Sequence, residues 1–309
     1  MSVLQDFTGW PRGPLSIAIG VFDGVHLGHQ ALVRQTAAYA KQHGGRPLAT
    51  TFDPLPIQVL APGAPPTALS DTDDRVRLLH EAGASDVIVF RFTKAFAAQD
   101  ADEFVRRLAG AGDVRQILVG EDFRFGRDRR GDVRTLIAAG PNHGYEVIVP
   151  TTVKLDGGVV SSTRVRNALI AGDIEGAARL LGRAYRVRGA VVHGAKRGRA
   201  LGFPTINLSV APQRLLPRDG IYVMSLRVGD EEVGAAASIG VRPTFGGGDR
   251  TLEAYLIDWE GDVYGDTIEA TFLKRLRDEL RFESPEELST QIARDVEAAR
   301  AALRERRRS

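Results

Sequence analysis

The chain has 309 residues, 43% hydrophobic and 26% charged, which supplies apolar material for two packed cores and excludes wholesale disorder. It has no cysteine, so disulfides, thiolate zinc sites and thiol nucleophiles are excluded. The formal net charge is +2, with no broad basic excess in either part: residues 1–182 hold 20 Lys+Arg and 20 Asp+Glu, leaving 21 of 41 and 19 of 39 for residues 183–309.

Residues 15–21 read as a buried strand, and 28–43 as a helix that ends at Gly44-Gly45. A strand over 47–52 follows, and Pro54, Pro56, Pro62, Pro65 and Pro66 then mark a loop. The pattern continues with a helix over 71–83 capped by Ser70 or Asp71, a strand at 87–90, a helix at 100–110 and a strand at 117–119. A helix near 131–140 and a strand at 145–150 close the series. Strands alternating with helices predict a parallel sheet covered on both faces. Residues 163–182 read as two short bridging helices. From 183 the pattern changes to short β runs at 185–193, 221–229, 233–239, 251–258 and 267–273, then an amphipathic helix over 285–305 that begins at Ser284-Pro285. The prediction is an α/β domain over 1–182 and a small antiparallel β-barrel with a C-terminal helix over 183–309.

No apolar run approaches the roughly 20 residues of a membrane span. Met1 to Asp6 has no basic segment followed by an apolar core. The expectation is a cytoplasmic protein acting on small molecules, with no nucleic-acid or membrane partner and at most weak or transient self-association. Arg300, Arg304, Arg306, Arg307 and Arg308 are read as a solvated helix end; their alternative reading is an RNA-binding tail.

The first chemical signal is Gly20-Val21-Phe22-Asp23-Gly24-Val25-His26-Leu27-Gly28-His29, at the handover from a strand to a helix. Ligands bind at such strand ends, glycines admit phosphates close to backbone amides, and a helix N-terminus favours negative charge. His26 and His29 are three apart and share a helical face, where two imidazoles can stabilise charge developing as a phosphorus–oxygen bond breaks. The bland alternative is a glycine-rich turn with two incidental histidines. Ser161-Ser162-Thr163-Arg164-Val165-Arg166 reads as a helix start that presents hydroxyls, amides and arginines to an anion. In Gly120-Glu121-Asp122-Phe123-Arg124-Phe125-Gly126, Phe123 or Phe125 can stack on a planar ring, or either can be core.

In the second part, Gly194, Lys196, Arg197, Gly198, Arg199 and Gly202 suit a flexible cationic loop over phosphates, although no Gly-Lys-Ser/Thr of a Walker loop occurs. Phe203-Pro204-Thr205-Ile206-Asn207 offers one hydroxyl and one amide on an extended segment, hard oxygens that suit Mg²⁺. If 251–258 is a strand, Leu252, Ala254 and Leu256 share one face and Glu253 and Tyr255 the other. Glu253 is then either a general base for a hydroxyl or a surface glutamate.

His26-Leu27-Gly28-His29 matches the HxGH signature of the nucleotidylyltransferases. Together with the Gly20, Gly120 and Ser161 runs it resembles the FMN adenylyltransferase module of bacterial FAD synthetases. The run from Gly198 to Asn207, Gly220-Ile221-Tyr222, Gly240 to Phe245, Glu253, Asp262-Val263-Tyr264-Gly265 and Leu276-Arg277-Asp278-Glu279 resemble riboflavin kinase. In this order they cover nearly the whole chain and resemble the bifunctional riboflavin kinase/FMN adenylyltransferase family.

The resemblance implies a Rossmann-like nucleotidylyltransferase domain followed by a kinase barrel. It implies riboflavin, FMN and FAD as substrates and products, ATP as co-substrate and Mg²⁺ as cofactor. Carried over, Glu253 is the kinase base, Thr205 and Asn207 hold Mg²⁺, the loop at 194–202 closes over ATP, and Arg277 lies on the flavin side. In the first domain His26 and His29 stabilise adenylyl transfer. Gly20, Phe22, Asp23, Gly24, Gly28, Ser162, Thr163, Arg164 and Arg166 bind the nucleotide, and Asp122, Phe123 and Phe125 face the flavin. Three positions depart from common family patterns: Leu55 where histidine is frequent, Asp122 where some relatives carry asparagine, and Tyr255 where histidine is frequent. The competing enzyme reading is a nucleotidylyltransferase for another phosphorylated substrate, with the barrel only binding.

Overall fold

The run Leu15–Ile19 has no residue more than 2% exposed, as a strand covered on both faces requires. The computed structural model describes residues 3–4, 6–63, 65, 67–193, 202–241 and 250–308. The first part contains β1 (Val3–Leu4), β2 (Pro14–Ile19), α1 (Leu27–Gln42), β3 (Arg46–Asp53), α2 (Pro56–Leu60), α3 (Thr72–Glu81) and β4 (Asp86–Arg91). It continues through α4 (Lys94–Ala97), α5 (Ala101–Gly110), β5 (Asp113–Leu118), β6 (Arg124–Phe125), β7 (Gly131–Asp132), α6 (Val133–His143) and β8 (Glu146–Ile148), and ends in the hairpin β9 (Lys154–Leu155) and β10 (Gly158–Val159). Six strands form a parallel sheet in the order β1-β4-β3-β2-β5-β8. Alternate residues feed two cores: Leu15, Ile17 and Ile19 belong to one, and Ala18 to the other with Val33, Leu79 and Val87.

The strand order reverses at β2. The chain runs outward through β3 and β4 and returns on the other side of β2 as β5. The carboxyl ends of β2 and β5 therefore flank a topological switch point, where open α/β sheets bind ligands. The prolines after β3 predict a loop, but α2 forms there. Pro56 is its first residue, where a missing N–H costs no helical bond.

The second part opens with α7 (Ser162–Ala171) and α8 (Ile174–Leu181). The chain divides into compact units at 162/163, whereas the sequence reading ends the first domain at 182. The bridging helices group with the barrel because α8 buries Ile174, Ala177, Leu180 and Leu181 there, and Arg218 donates its backbone N–H to Leu169 O at 2.9 Å.

The barrel strands are β11 (Arg186–Val192), β12 (Thr205–Val210), β13 (Gly220–Val228), β14 (Glu231–Val241), β15 (Arg250–Leu256) and β16 (Thr267–Arg277), closed in the order β11-β12-β15-β14-β13-β16 with antiparallel pairing throughout. Strand β12 extends the segment that the sequence marks only as extended. Helix α9 (Pro285–Arg308) covers part of the outer barrel surface, with Val296 and Ala299 against Val223 and Ile257.

Arg277 at the end of β16 grips Asp295 of α9 through two bonds, Nε to Oδ1 at 2.9 Å and Nη2 to Oδ2 at 2.5 Å. The side chains are only 21% and 10% exposed, so removing one partner strands a largely desolvated charge. Asp295→Ala is expected to destabilise the barrel by about 2–3 kcal/mol. The paired replacement Arg277→Met/Asp295→Leu should cost clearly less. Urea unfolding followed by Trp259 fluorescence in a Trp10→Phe background checks both.

Candidate active sites

The loop from β2 to α1 has three residues with left-handed backbone, Phe22 (φ 53), Gly24 (φ 79) and Val25 (φ 40). Phenylalanine and valine rarely adopt it, so the loop is strained, as functional loops often are. It turns sharply and sets His26 at the N-cap of α1. His26 is 5% exposed, and its Nδ1 accepts from the His29 backbone N–H at 3.3 Å. In the neutral ring that leaves the proton on Nε2 as a donor. The two imidazoles stack with centroids 3.6 Å apart, and Phe22 lies edge-on to His29 at 5.1 Å. A Cβ at Gly28 would meet the His26 ring at 3.2 Å and Val160 O at 3.4 Å, which explains the glycine between the histidines. A Cβ at Gly20 would press on the Phe22 ring at 3.1 Å.

The structure brings together the histidines, Gly20, Phe22, Asp23, Gly24 and Gly28, and adds Ser162, whose Oγ donates to Asp23 O at 2.9 Å. Asp23 itself is 1% exposed, and its Oδ1 accepts from Leu69 N, Ser70 N and Ser70 Oγ. Thr163, Arg164 and Arg166 lie in the first turns of α7, with Thr163 and Arg166 on one face.

The loop after β5 folds into a turn, with Phe123 N donating to Gly120 O at 3.1 Å. Phe125 is a core residue, 8% exposed and 5.1 Å from Phe104, so its ring is committed to packing. The half-buried Phe123 stacks on it at 5.4 Å and keeps its outer side, while Asp122 is exposed. Leu55 is 3% exposed, filling its position as an apolar residue rather than as a polar contact.

On the barrel, Leu252, Ala254 and Leu256 are buried inside, which puts Glu253 and Tyr255 on the outer face as their alternation predicts. Register places Asn207 opposite Glu253, and Glu253 opposite Ser238 on its other side. Thr205 pairs with Tyr255, so Thr205 and Asn207 share the outer face with Glu253. Tyr255 meets Phe203 edge-on at 5.4 Å and joins the cluster under α9, which gives it a packing role. Arg277 is held by Asp295. Gly202 is exposed and left-handed (φ 83), while Gly194, Lys196 and Arg199 lie outside the described residues.

Hydroxyl, carboxamide and carboxylate are hard oxygen donors, and Mg²⁺ binds such groups in small number while keeping waters and phosphates. Thr205 and Asn207, which share a barrel face with Glu253 by register, present an oxygen donor set of that kind. Sequence reading missed Ser238, which only the register reveals. Of the two caps that the sequence offers for α3, Asp71 is the N-cap, and the Ser70 side chain serves the Asp23 loop instead.

The chain matches the FAD synthetase family over residues 11–164 and the Riboflavin kinase family over 181–303. It is 41% identical to the bifunctional riboflavin kinase/FMN adenylyltransferase of Pseudomonas fluorescens, over 92% of this chain and 91% of that one. Against the Escherichia coli K12 protein of the same description the identity is 38%, over 94% and 93%. The crystal structure of a macrolide-efflux protein from Streptococcus pneumoniae has a TM-score of 0.86 and 32% identity over 97% of this chain and 98% of that one. No helix among the described residues is long and apolar enough to cross a membrane. Both catalytic families in one chain, with relatives matched nearly end to end, place this protein in the bifunctional riboflavin kinase/FMN adenylyltransferase family: its C-terminal part phosphorylates riboflavin to FMN and its N-terminal part adenylylates FMN to FAD.

Proposed function

We propose that Glu253 is the base of the kinase and that His26 and His29 are the charge-stabilising pair of the adenylyltransferase. The observation that carries the first assignment is the register that sets Glu253 between Asn207 and Ser238 on one barrel face. The riboflavin 5′-hydroxyl attacks the γ-phosphorus of ATP, Glu253 takes the hydroxyl proton, and ADP leaves. Mg²⁺ held by Thr205 and Asn207 supplies neutralisation of the phosphate charge. Gly194, Lys196, Arg199 and Gly202 belong to the phosphate-covering loop, and Arg277, fixed by Asp295, borders the flavin.

In the first domain a phosphate oxygen of FMN attacks the α-phosphorus of ATP, and the bond to the departing pyrophosphate breaks. The donors of His26 and His29 meet the charge that develops on the phosphates, so positioning and electrostatics supply the catalysis. Gly20, Phe22, Gly24 and Gly28 shape the nucleotide side, Ser162, Thr163, Arg164 and Arg166 bind phosphates, and Phe123 with Asp122 faces the isoalloxazine. On this reading the catalytic division is 1–182 and 183–309, with the phosphate ligands of α7 belonging to the adenylyltransferase. Both reactions draw on ATP, which suits a cytoplasmic enzyme, and neither requires a nucleic acid, a membrane or a second copy of the chain.

With riboflavin, ATP and Mg²⁺, a chromatographic time course should show FMN first and FAD after it. Glu253→Ala should lower FMN formation by about a hundredfold and leave FAD formation from supplied FMN intact. His29→Ala should do the reverse by about the same factor. Loss of both activities in either folded variant contradicts two independent sites. Asn207→Ala should raise the Mg²⁺ concentration needed for half-maximal kinase activity while leaving that of adenylyl transfer unchanged, and equal shifts in both would remove Asn207 from the metal site. Gly28→Ala, whose methyl presses the His26 ring, should slow FAD formation alone.

A further inference from the structure

Two non-glycine residues in the left-handed region, one of them β-branched, do not stay there without being held. The holding groups lie on a segment some 46 residues further along the chain. The Asp23 carboxylate, 1% exposed, accepts from Leu69 N at 2.8 Å, Ser70 N at 3.1 Å and Ser70 Oγ at 3.3 Å. The same Ser70 hydroxyl accepts from Gly24 N at 2.9 Å, so one buried oxygen joins the carboxylate to the middle of the strained turn. Ser70 is itself fixed by Arg75, a fully buried guanidinium that donates to Ser70 O at 3.5 Å, Phe52 O at 2.8 Å and Thr72 Oγ1 at 3.2 Å. Thr51 Oγ1 donates to Val21 O at 2.7 Å and Gln30 Nε2 to Val25 O at 2.9 Å, which pins both ends of the turn. The loop is thereby anchored to the body of the sheet, and His26 follows Val25 directly.

We propose that Asp23 and Ser70, backed by Arg75, form a latch that holds the Phe22–Val25 turn and through it sets the stacked His26/His29 pair for adenylyl transfer. Asp23 is then a positioning residue and does not touch the nucleotide through its carboxylate, contrary to the sequence expectation. A carboxylate this enclosed, with its oxygen engaged by three donors of the protein, is spent on the fold of the loop. The inference rests on the reading of His26 and His29 as the groups that act on ATP.

The test uses the full-length protein as Asp23→Asn, Asp23→Ala and Ser70→Ala, with steady-state FAD formation from FMN and ATP, FMN formation from riboflavin, and melting temperature measured on the same preparations. Asparagine keeps an acceptor oxygen and removes the charge, so Asp23→Asn should keep kcat for FAD formation within about threefold of wild type. Asp23→Ala and Ser70→Ala remove bonds of the latch and should lower that kcat about ten- to a hundredfold, with the KM for ATP moving less than about threefold. Riboflavin phosphorylation should be unchanged in all three. If Asp23→Asn falls as far as Asp23→Ala while melting and kinase activity hold, the charge acts on the nucleotide and the latch is overturned. Undiminished kcat in Asp23→Ala and Ser70→Ala overturns it as well. Should Asp23→Ala fail to fold, Asp23→Asn and Ser70→Ala decide alone. His29→Ala run alongside separates the two ideas: full activity there overturns the histidine reading, whatever the latch variants do.

Discussion

The first site depends on one buried contact, the Asp23 carboxylate against the backbone of Leu69 and Ser70. A phosphoryl or adenylyl transfer has little covalent chemistry for the protein to perform, so what the protein contributes is donors that do not move when charge develops. Imidazoles on the first turn of a helix are only as fixed as the loop that starts the helix. Here that loop is held in a left-handed path by a distant segment, whose Leu69 and Ser70 donate to the Asp23 carboxylate and whose Ser70 hydroxyl accepts from Gly24 N, and the glycine between the histidines leaves the His26 ring its space. The reversal of strand order at β2 then determines that the loop after β5 emerges beside it.

The barrel achieves the same rigidity by different means. Its polar side chains stand on strands rather than on a loop, and the hydrogen-bond register alone lines up Asn207, Glu253 and Ser238. Alternation sends Leu252, Ala254 and Leu256 inward and Glu253 outward, so a one-residue slip would bury the carboxylate and expose the core. The packing that protects the register also draws on Tyr255 and Phe203, which brace the outer face beneath α9.

Much of this was legible in the sequence, because periodicity and spacing are local. The alternating strand–helix pattern, the change near residue 183, the HxGH run at a strand end and the outward placement of Glu253 all follow from residues within one element. What was not legible depends on partners far along the chain. Ser70 and Asp71 read equally as caps because both precede a helix; that Asp71 takes the N-cap while the Ser70 hydroxyl serves residues 23 and 24 is visible only once the sheet is assembled. Phe123 and Phe125 are equivalent in sequence, and packing against Phe104 is what assigns Phe125 to the core. Pro56 reads as a breaker and instead opens α2.

The two sites also answer phosphate charge differently, and the difference follows from their residues. The first carries imidazoles at the N-terminus of α1, where on the proposed reading donors and the helix dipole would face the anion. The described barrel face carries a carboxylate and neutral oxygens, and a carboxylate beside a polyphosphate is repulsive unless a cation stands between them. Arg277 does not fill that gap, because Asp295 already occupies its guanidinium. On the roles proposed above, a divalent cation held by oxygens such as those of Thr205 and Asn207 would stand between the Glu253 carboxylate and the phosphates, alongside the cations that the sequence carries at Lys196, Arg197 and Arg199. On those proposed roles, the kinase is the half of the molecule whose chemistry would be more tightly coupled to Mg²⁺.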